Sequence, residues 1–457
     1  MKRILYVYAM GGPPISHYYP IMSSLGEVLT ILVATPSSFN HEIMANHSKS
    51  IADLTHLSTE QQLEKIKALA VANEVDVLFT FSEFALVDIS NIARELGLKG
   101  VGKNVEKGRN KIMMRESWQK AGVPQPRFVP LHSIEEKENL KSLRPPFIIK
   151  LAYGAGSIAQ QVIQDLNEVD DALDRMLSAT HHAQNSNAYE IGGSVGFPAL
   201  IAEELIDSTT ESWYDDPRYG DFVSVEGLVK DGVYHPLAMT GRLKTVPPFT
   251  ELGNLAPCVL STEQKAKIVD ETTNAINALE LDDCVTHTEL KLLKNNGMSF
   301  LETAVRMGGV GIACELKDVF DIDYVELFIK SLLGETVTIP MFEQNPPRCA
   351  AGSVAMIGCD SDGKAWKSDY TYVPEKIHWD NLTHGLGDVT ILQSQSRKSG
   401  DVFPAYDHLS GVLNYAGQAY VTASTPNDLI DAAYSIIDNL EQEIEKITCM
   451  EASNESI

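Results

Sequence analysis

The spacing of the first apolar runs constrains this chain more than any other feature. Ile4–Tyr8, Val28–Ala34, Val75–Phe81 and Leu98–Gly102 are short and apolar, and segments long enough for helices separate them. Strands that alternate with helical stretches build a parallel sheet, because a parallel pair needs a crossover of about a dozen residues or more. Residues 1–110 are therefore expected to form a parallel α/β domain. The first run, Ile4 to Met10, ends at Gly11-Gly12-Pro13-Pro14. It is too short to span a membrane and lacks the small-x-small site of a secretory signal, so it reads as a buried first strand. The Gly-Gly-Pro-Pro is not a G-x-G-x-x-G fingerprint and is taken as a turn at the sheet's carboxyl edge.

At 457 residues the chain is about three domains long. A helix is predicted over Lys107–Ala121, stopped by Gly122-Val123-Pro124-Gln125-Pro126. A strand at Pro146–Leu151 runs into the glycine-rich segment Tyr153–Ser157, and a second strand follows around Ile158–Ile163. Next come a helix over Asn167–Leu177, a polar loop or insertion over His181–Gly196, and a strand over Phe197–Ile206. Lys230-Asp231-Gly232 marks a hairpin between two alternating strands, and Thr262–Leu279 has a helical pattern. Cys284–Leu293 and Ser299–Met307 are strands joined by Asn295-Asn296-Gly297. Beyond Pro340 the pattern breaks into shorter strands and loops, closed by a helix over Asn427–Ile447 and a polar, frayed tail.

Charge narrows the function classes. With 37 Lys and Arg against 62 Asp and Glu, the formal charge is −25, and such a field repels phosphate backbones and anionic membranes. Neither nucleic acid nor membrane is an expected partner. The six cysteines form no C-x-x-C pair and no zinc spacing, as expected of thiols in a reducing cytoplasm.

The chemistry concentrates in one hairpin. Alternation puts His287, Glu289 and Lys291 on one face of the first strand, and Glu302 and Arg306 with Phe300 and Ala304 on one face of the second. Two carboxylates then converge with an arginine beyond them. A hard cation such as Mg²⁺ would relieve their repulsion, and separate pairing with Lys or Arg is the alternative. Lys150 ends an apolar strand before the glycine-rich segment, where backbone N–H groups and an ammonium suit phosphate, and Lys111 is a second such cation. Glu203-Glu204 is either a hydrogen-bonding strand end, for instance toward an adenine amino group, or a solvated pair.

In this order of elements the chain resembles the ATP-grasp superfamily, and within it the L-amino-acid ligase, or dipeptide synthetase, branch. The resemblance is carried by Arg109-Asn110-Lys111 through Ala121-Gly122-Val123, Ile201–Glu204, Tyr219–Gly227, Phe249-Thr250-Glu251 and Thr286–Lys291. It extends from the first strand to at least residue 335. It implies an α/β fold with α+β lobes: an N-terminal parallel α/β domain (1–110), a central lobe with a glycine-rich lid (111–206), a second lobe with the metal site (207–340) and a β-rich C-terminal extension (341–457). ATP would be sandwiched between the two lobes. Lys111 and Lys150 are then implied on its phosphates, with Gly154, Gly156 and Ser157 in the lid. Glu203, Glu204 and Ile206 are implied at the adenine and Glu211 at the ribose. Glu289 and Glu302 would bind two Mg²⁺ ions, with Mn²⁺ as a substitute. Arg306 would stabilise the transferring phosphate and a later oxyanion, and Glu251 or His287 would take the amine's proton, a structural role being favoured for His287.

Two positions depart from the pattern. Ala304 stands where many ATP-grasp enzymes have an Asn, and Asn254 where a substrate-side histidine aligns. The implied reaction activates a carboxylate as an acyl phosphate, which an amine then attacks, releasing ADP and phosphate. Amino-acid-like small molecules are the implied substrates and a homodimer the expected assembly. A bicarbonate-activating carboxylase and a non-catalytic nucleotide-binding protein are the alternatives. The first is disfavoured by the lack of a biotin-carrier segment, the second by retention of Glu289, Glu302 and Arg306 together.

Overall fold

The computed structural model describes residues 2–154, 160–185, 197–408 and 410–454. Strands β1 (Arg3–Tyr8), β2 (Glu27–Leu32), β3 (Ser50–Asp53) and β4 (Val77–Phe79) form a parallel sheet in the order β3-β2-β1-β4. Helices α1 (Ile15–Leu25), α2 (Ser38–His47) and α3 (Thr59–Ala72) make the crossovers, and α4 (Leu86–Glu95) follows β4. The expected parallel domain is present with two corrections. Leu98–Gly102 is no strand: Lys99 makes one bridge to Val77, and Gly97 and Gly100 flank it, Gly97 with a left-handed φ of 66°. The fourth strand is instead β3, whose short half-polar sequence SIAD carries no apolar run.

The helix expected over Lys107–Ala121 is broken into α5 (Val105–Arg109) and α6 (Lys111–Ala121). Asn110 takes extended backbone angles, and its side chain accepts from the N–H groups of Ile112 and Met113. An Asx cap of this kind satisfies orphan donors and starts a new helix, which makes Lys111 its first residue.

A second sheet, antiparallel, has the order β5-β8-β6-β7 with β5 (Phe128–Leu131), β6 (Phe147–Leu151), β7 (Gln161–Ile163) and β8 (Leu200–Glu204). Helix α7 (Val169–Asn185) is longer than expected and takes in the start of the segment read as a polar loop, whose remainder lies outside the described residues.

The third sheet carries the site. Its strands are β9 (Phe222–Lys230), β10 (Val233–Arg242), β13 (Gly253–Ala256), β14 (Cys284–Leu293), β15 (Gly297–Ala304), β16 (Ala350–Met356), β18 (Gly387–Ile391) and β20 (Gly417–Ala423), with the short pair β11 (Thr245–Val246) and β12 (Thr250–Glu251) beside it. Among the described residues it is eight-stranded, in the order β15-β14-β9-β10-β13-β16-β20-β18. Strands from both sides of Pro340 thus share one sheet. Helix α8 spans the expected Thr262–Leu279, and a Ser261/Gln264 capping box starts it. Trp118 of α6 is buried against Phe300 and donates from its indole N–H to Ala275 O of α8 at 2.9 Å. Helices α9 (Ile312–Phe320) and α10 (Tyr324–Leu332) complete this core. Beyond it lie α11 (Trp379–Thr383), the ribbon β17 (Tyr370–Thr371) with β19 (Val402–Phe403), and α12. Helix α12 runs over Pro426–Asn454, past its expected end at Ile447 and into the tail read as frayed.

Candidate active site

The β14–β15 hairpin sets Glu289 directly opposite Glu302. It does so through a bulge: Leu290 pairs with Phe300 while Glu289 pairs with Glu302, so Leu301 is an extra residue. Simple alternation placed Phe300 and Glu302 on one face, and the bulge corrects this. Phe300 is fully buried in the core, whereas Glu302 turns to a cavity of about 520 Å³. Lys111, Lys150, Gly154, Glu203, Glu204, Ile206, Glu251, His287, Glu289, Glu302 and Arg306 line this cavity together. Gly156 and Ser157 lie outside the described residues.

Cations face the carboxylates. Lys111 Nζ is 2.8 Å from Glu302 Oε2 and donates to Gly154 O at 2.8 Å, pinning the root of the glycine-rich segment. Arg109 holds the same root through Tyr153 O and Gly154 O. Burial would raise the pKa of Glu302, but Lys111 and Lys150 hold its carboxyl at about 2. Glu289 Oε1 lies 3.2 Å from His287 Nε2 and 3.5 Å from Arg242 Nη2. His287 Nδ1 is 2.6 Å from Glu226 Oε1. Against burial, Glu226 and then Glu289 lift the imidazole pKa to about 9, so both ring nitrogens are engaged by carboxylates and the ring is a cation at neutral pH. Glu251 is different: burial and the charge of Glu289 push its pKa up, which suits a proton acceptor.

Arg306 follows the end of β15. Its Nε is 2.5 Å from Glu83 Oε2 and its Nη1 donates to Met307 O at 2.8 Å. Glu83 comes from the loop after β4, so the N-terminal domain orients this arginine. Glu203 has its carboxylate turned onto Arg115 and Lys150, and Glu204, Leu205 and Ile206 after it line the cavity.

Glu211 does not line the cavity: it is exposed on the segment between β8 and β9. The acid found there is Asp221, 2.6 Å from Lys291 Nζ and bonded to Ser208 Oγ. Asp221 lies within the Tyr219–Gly227 stretch that carries the family resemblance, but side-chain direction, not spacing, distinguishes it from Glu211.

The rest of the wall comes from strands far apart in sequence. Across the sheet Glu302 stands opposite Glu289, Glu289 opposite Ser224 and Ser224 opposite Thr240. Two residues on, Arg242 stands opposite Asn254, Asn254 opposite Ser353 and Ser353 opposite Tyr420. Asn254 Oδ1 accepts from the Ser353 N–H at 3.2 Å, which aims its amide nitrogen elsewhere. Ser353, Tyr415 and Gln418 line this end without charge, and no sequence motif marked them.

Two opposed carboxylates supply hard oxygen ligands, and no group of three or more Asp, Glu, His or Cys fit to hold a metal exists among the described residues. That donor set fits Mg²⁺ shared with nucleotide phosphates, which completes its shell with substrate oxygens and water, and does not fit an all-protein cage.

No protein-family model matches the chain. It is 28% identical over 436 residues to alanine–anticapsin ligase from Bacillus subtilis, covering 87% of this chain and 89% of that one. An L-amino acid ligase structure from Bacillus licheniformis superposes with a TM-score of 0.72 at 21% identity, covering 95% and 97% of the two chains. The biotin carboxylase domain of Hydrogenobacter thermophilus 2-oxoglutarate carboxylase, a complex with MgADP and bicarbonate, gives 0.64 at 15% identity over 93% and 86%. With a parallel N-terminal domain and a carboxylate pair facing two lysines across a cavity, the chain has the ATP-grasp fold and is a homologue of the alanine–anticapsin ligases.

Proposed function

We propose that this chain is an ATP-dependent carboxylate–amine ligase that joins two amino acids or amino-acid-like molecules, releasing ADP and phosphate. The observation that carries the reading is the opposition of Glu289 and Glu302 in the cavity that also holds Lys111, Lys150 and Arg306. Mg²⁺, as two ions held by Glu289 and Glu302 with the phosphates, would supply charge neutralisation at the γ-phosphoryl group. Lys111 and Lys150 meet the phosphate oxygens, and the backbone near Glu204 to Ile206 meets the adenine. Asp221 replaces Glu211 as the acid for the ribose.

The substrate carboxylate takes the γ-phosphoryl group and becomes an acyl phosphate. An amine attacks the acyl carbon, the tetrahedral oxyanion forms beside Arg306, and phosphate leaves as the amide closes. Glu251 takes the proton of the attacking amine, a role the doubly engaged His287 does not fill. On this reading residues 111–206 and 207–340 close on nucleotide, 1–110 orients Arg306 through Glu83, and 341–457 walls the substrate end. A homodimer in the cytoplasm belongs to the same proposal. Among the described residues no helix is long and apolar enough to cross a membrane.

Incubation with ATP, Mg²⁺ and pairs of amino acids tests the proposal. Expected products are ADP, phosphate and an amide with the summed mass less water, and hydroxylamine in place of the amine traps the activated acid as a hydroxamate. AMP and pyrophosphate, or phosphate release that needs bicarbonate instead of an amino acid, would refute it.

A further inference from the structure

Glu203 is 2% exposed, between two cations. Its Oε1 accepts from Arg115 Nε at 2.8 Å and its Oε2 lies 2.7 Å from Lys150 Nζ. Arg115 continues the chain: its Nη2 donates at 2.6 Å to Leu301 O, the carbonyl of the bulge residue just before Glu302. Its guanidinium also lies 5.2 Å from the Trp118 ring. Arg115 is one turn after Lys111 on α6, so one helix face sends Lys111 to Glu302 and Arg115 to Glu203 and the bulge.

We infer that Arg115 and Glu203 are positioning residues that hold the Lys150 ammonium toward the transferring phosphoryl group; the inference rests on the ligase reading. A stabilising ion pair needs one cation and one anion. This buried cluster has a second cation, and of its two cations only Lys150 lines the cavity, where Glu302 is the other carboxylate whose charge acts on it. An ammonium has three donors. Glu203 takes one and fixes the direction of the others, which would otherwise wander on a four-carbon stem. Burial lowers the pKa of Lys150, and an anionic Glu203 counters this. Burial would also neutralise Glu203, but Arg115 and then Lys150 hold its carboxyl at about 2. The link from Arg115 to Leu301 O ties the position of Lys150 to the bulge that turns Glu302 into the cavity, so one network sets both the lysine and the carboxylate.

Steady-state ADP formation and thermal midpoints would be measured for wild type, Glu203→Gln, the pair Arg115→Met with Glu203→Gln, and Arg115→Lys. Glu203→Gln leaves a buried arginine unpaired, so both midpoint and kcat should fall. The double variant removes that charge and should recover much of the midpoint, while kcat stays down at least about 10-fold with a smaller change in KM for ATP. Arg115→Lys keeps the charge but loses the fork that reaches Glu203 and Leu301 O together, and should lower kcat about 10-fold in a folded protein. Wild-type kcat in the double variant, or in Arg115→Lys should the double variant fail to fold, would overturn the inference and leave the cluster as a structural ion pair. Wild type that forms no ADP with any amino acid would instead remove the ligase reading beneath it.

Discussion

Replacement of Arg306 by lysine isolates what its guanidinium does. Arg306 lines the cavity, with its Nε 2.5 Å from Glu83 Oε2 and its Nη1 donating to Met307 O at 2.8 Å, and on the ligase reading its Nη2 is the donor toward the oxyanion. A lysine ammonium sits about where the guanidinium carbon was, beside Glu83, and that buried carboxylate captures it. The charge remains and the donor toward the oxyanion is lost. Removing a donor of this kind costs about 10²–10³ in kcat, or roughly 2.7–4 kcal/mol of transition-state stabilisation. Lys111, Lys150 and the adenine-side backbone are untouched, so KM for ATP should change less than about 3-fold. The thermal midpoint should hold, because the ion pair with Glu83 survives. The assay is coupled ADP release with saturating amino acids, checked by product mass. A kcat within about 5-fold of wild type would refute the role given to Arg306 and make it a structural partner of Glu83.

Three further outcomes are expected. Glu289→Gln and Glu302→Gln each remove a ligand charge at nearly constant shape, so each should abolish most turnover at ordinary Mg²⁺ and lower nucleotide affinity by less; near-normal rates in Mg²⁺ titrations would count against the metal assignment. In Gly308→Ala the added Cβ would come within 2.6 Å of Ile312 Cδ1 and 2.9 Å of His287 Nδ1. Ile312 can shift but His287 is pinned between Glu226 and Glu289, so activity should drop and the Mg²⁺ requirement rise. Glu315, fully buried beside Ser353, has its carboxyl raised from 4.5 to about 8, by burial above all. The unfolded chain ionises this group first as pH rises, so its contribution to stability is complete below about pH 4.5 and is lost by about pH 8. Urea unfolding should show wild type losing several kcal/mol against Glu315→Gln between pH 5 and 8, and parallel curves would contradict this.

Much of the architecture is legible locally. Strand and helix periods account for the parallel domain, the Lys230-Asp231-Gly232 hairpin, helix α8, and the pairing of β14 with β15. What failed locally did so for identifiable reasons. Asn110 looks like any polar helix residue until its side chain caps two N–H groups, and the SIAD of β3 is a strand only because β2 is there to pair with it.

The site itself is divided along the same line. The charged end is legible because Glu289 and Glu302 are separated by a short hairpin whose turn residues are visible, although the bulge at Leu301 reverses the parity that alternation alone would assign. The neutral end is not, because it depends on register between strands remote in sequence: Asn254 meets Ser353, which in turn meets Tyr420. Hydrophobic period sets which residues of a strand face the core, but nothing within a strand says which neighbour it will take. The two cavity lysines fall between the two cases. Lys150 is visible before a glycine-rich segment, yet its anchor, Arg115 through Glu203, becomes apparent only when α6, β8 and the β15 bulge meet. On the ligase reading, chemistry at the phosphoryl end is thus written in residue types and substrate choice in topology, and the uncharged wall of Asn254, Ser353 and Gln418 is where differences in substrate between this chain and its relatives should be sought.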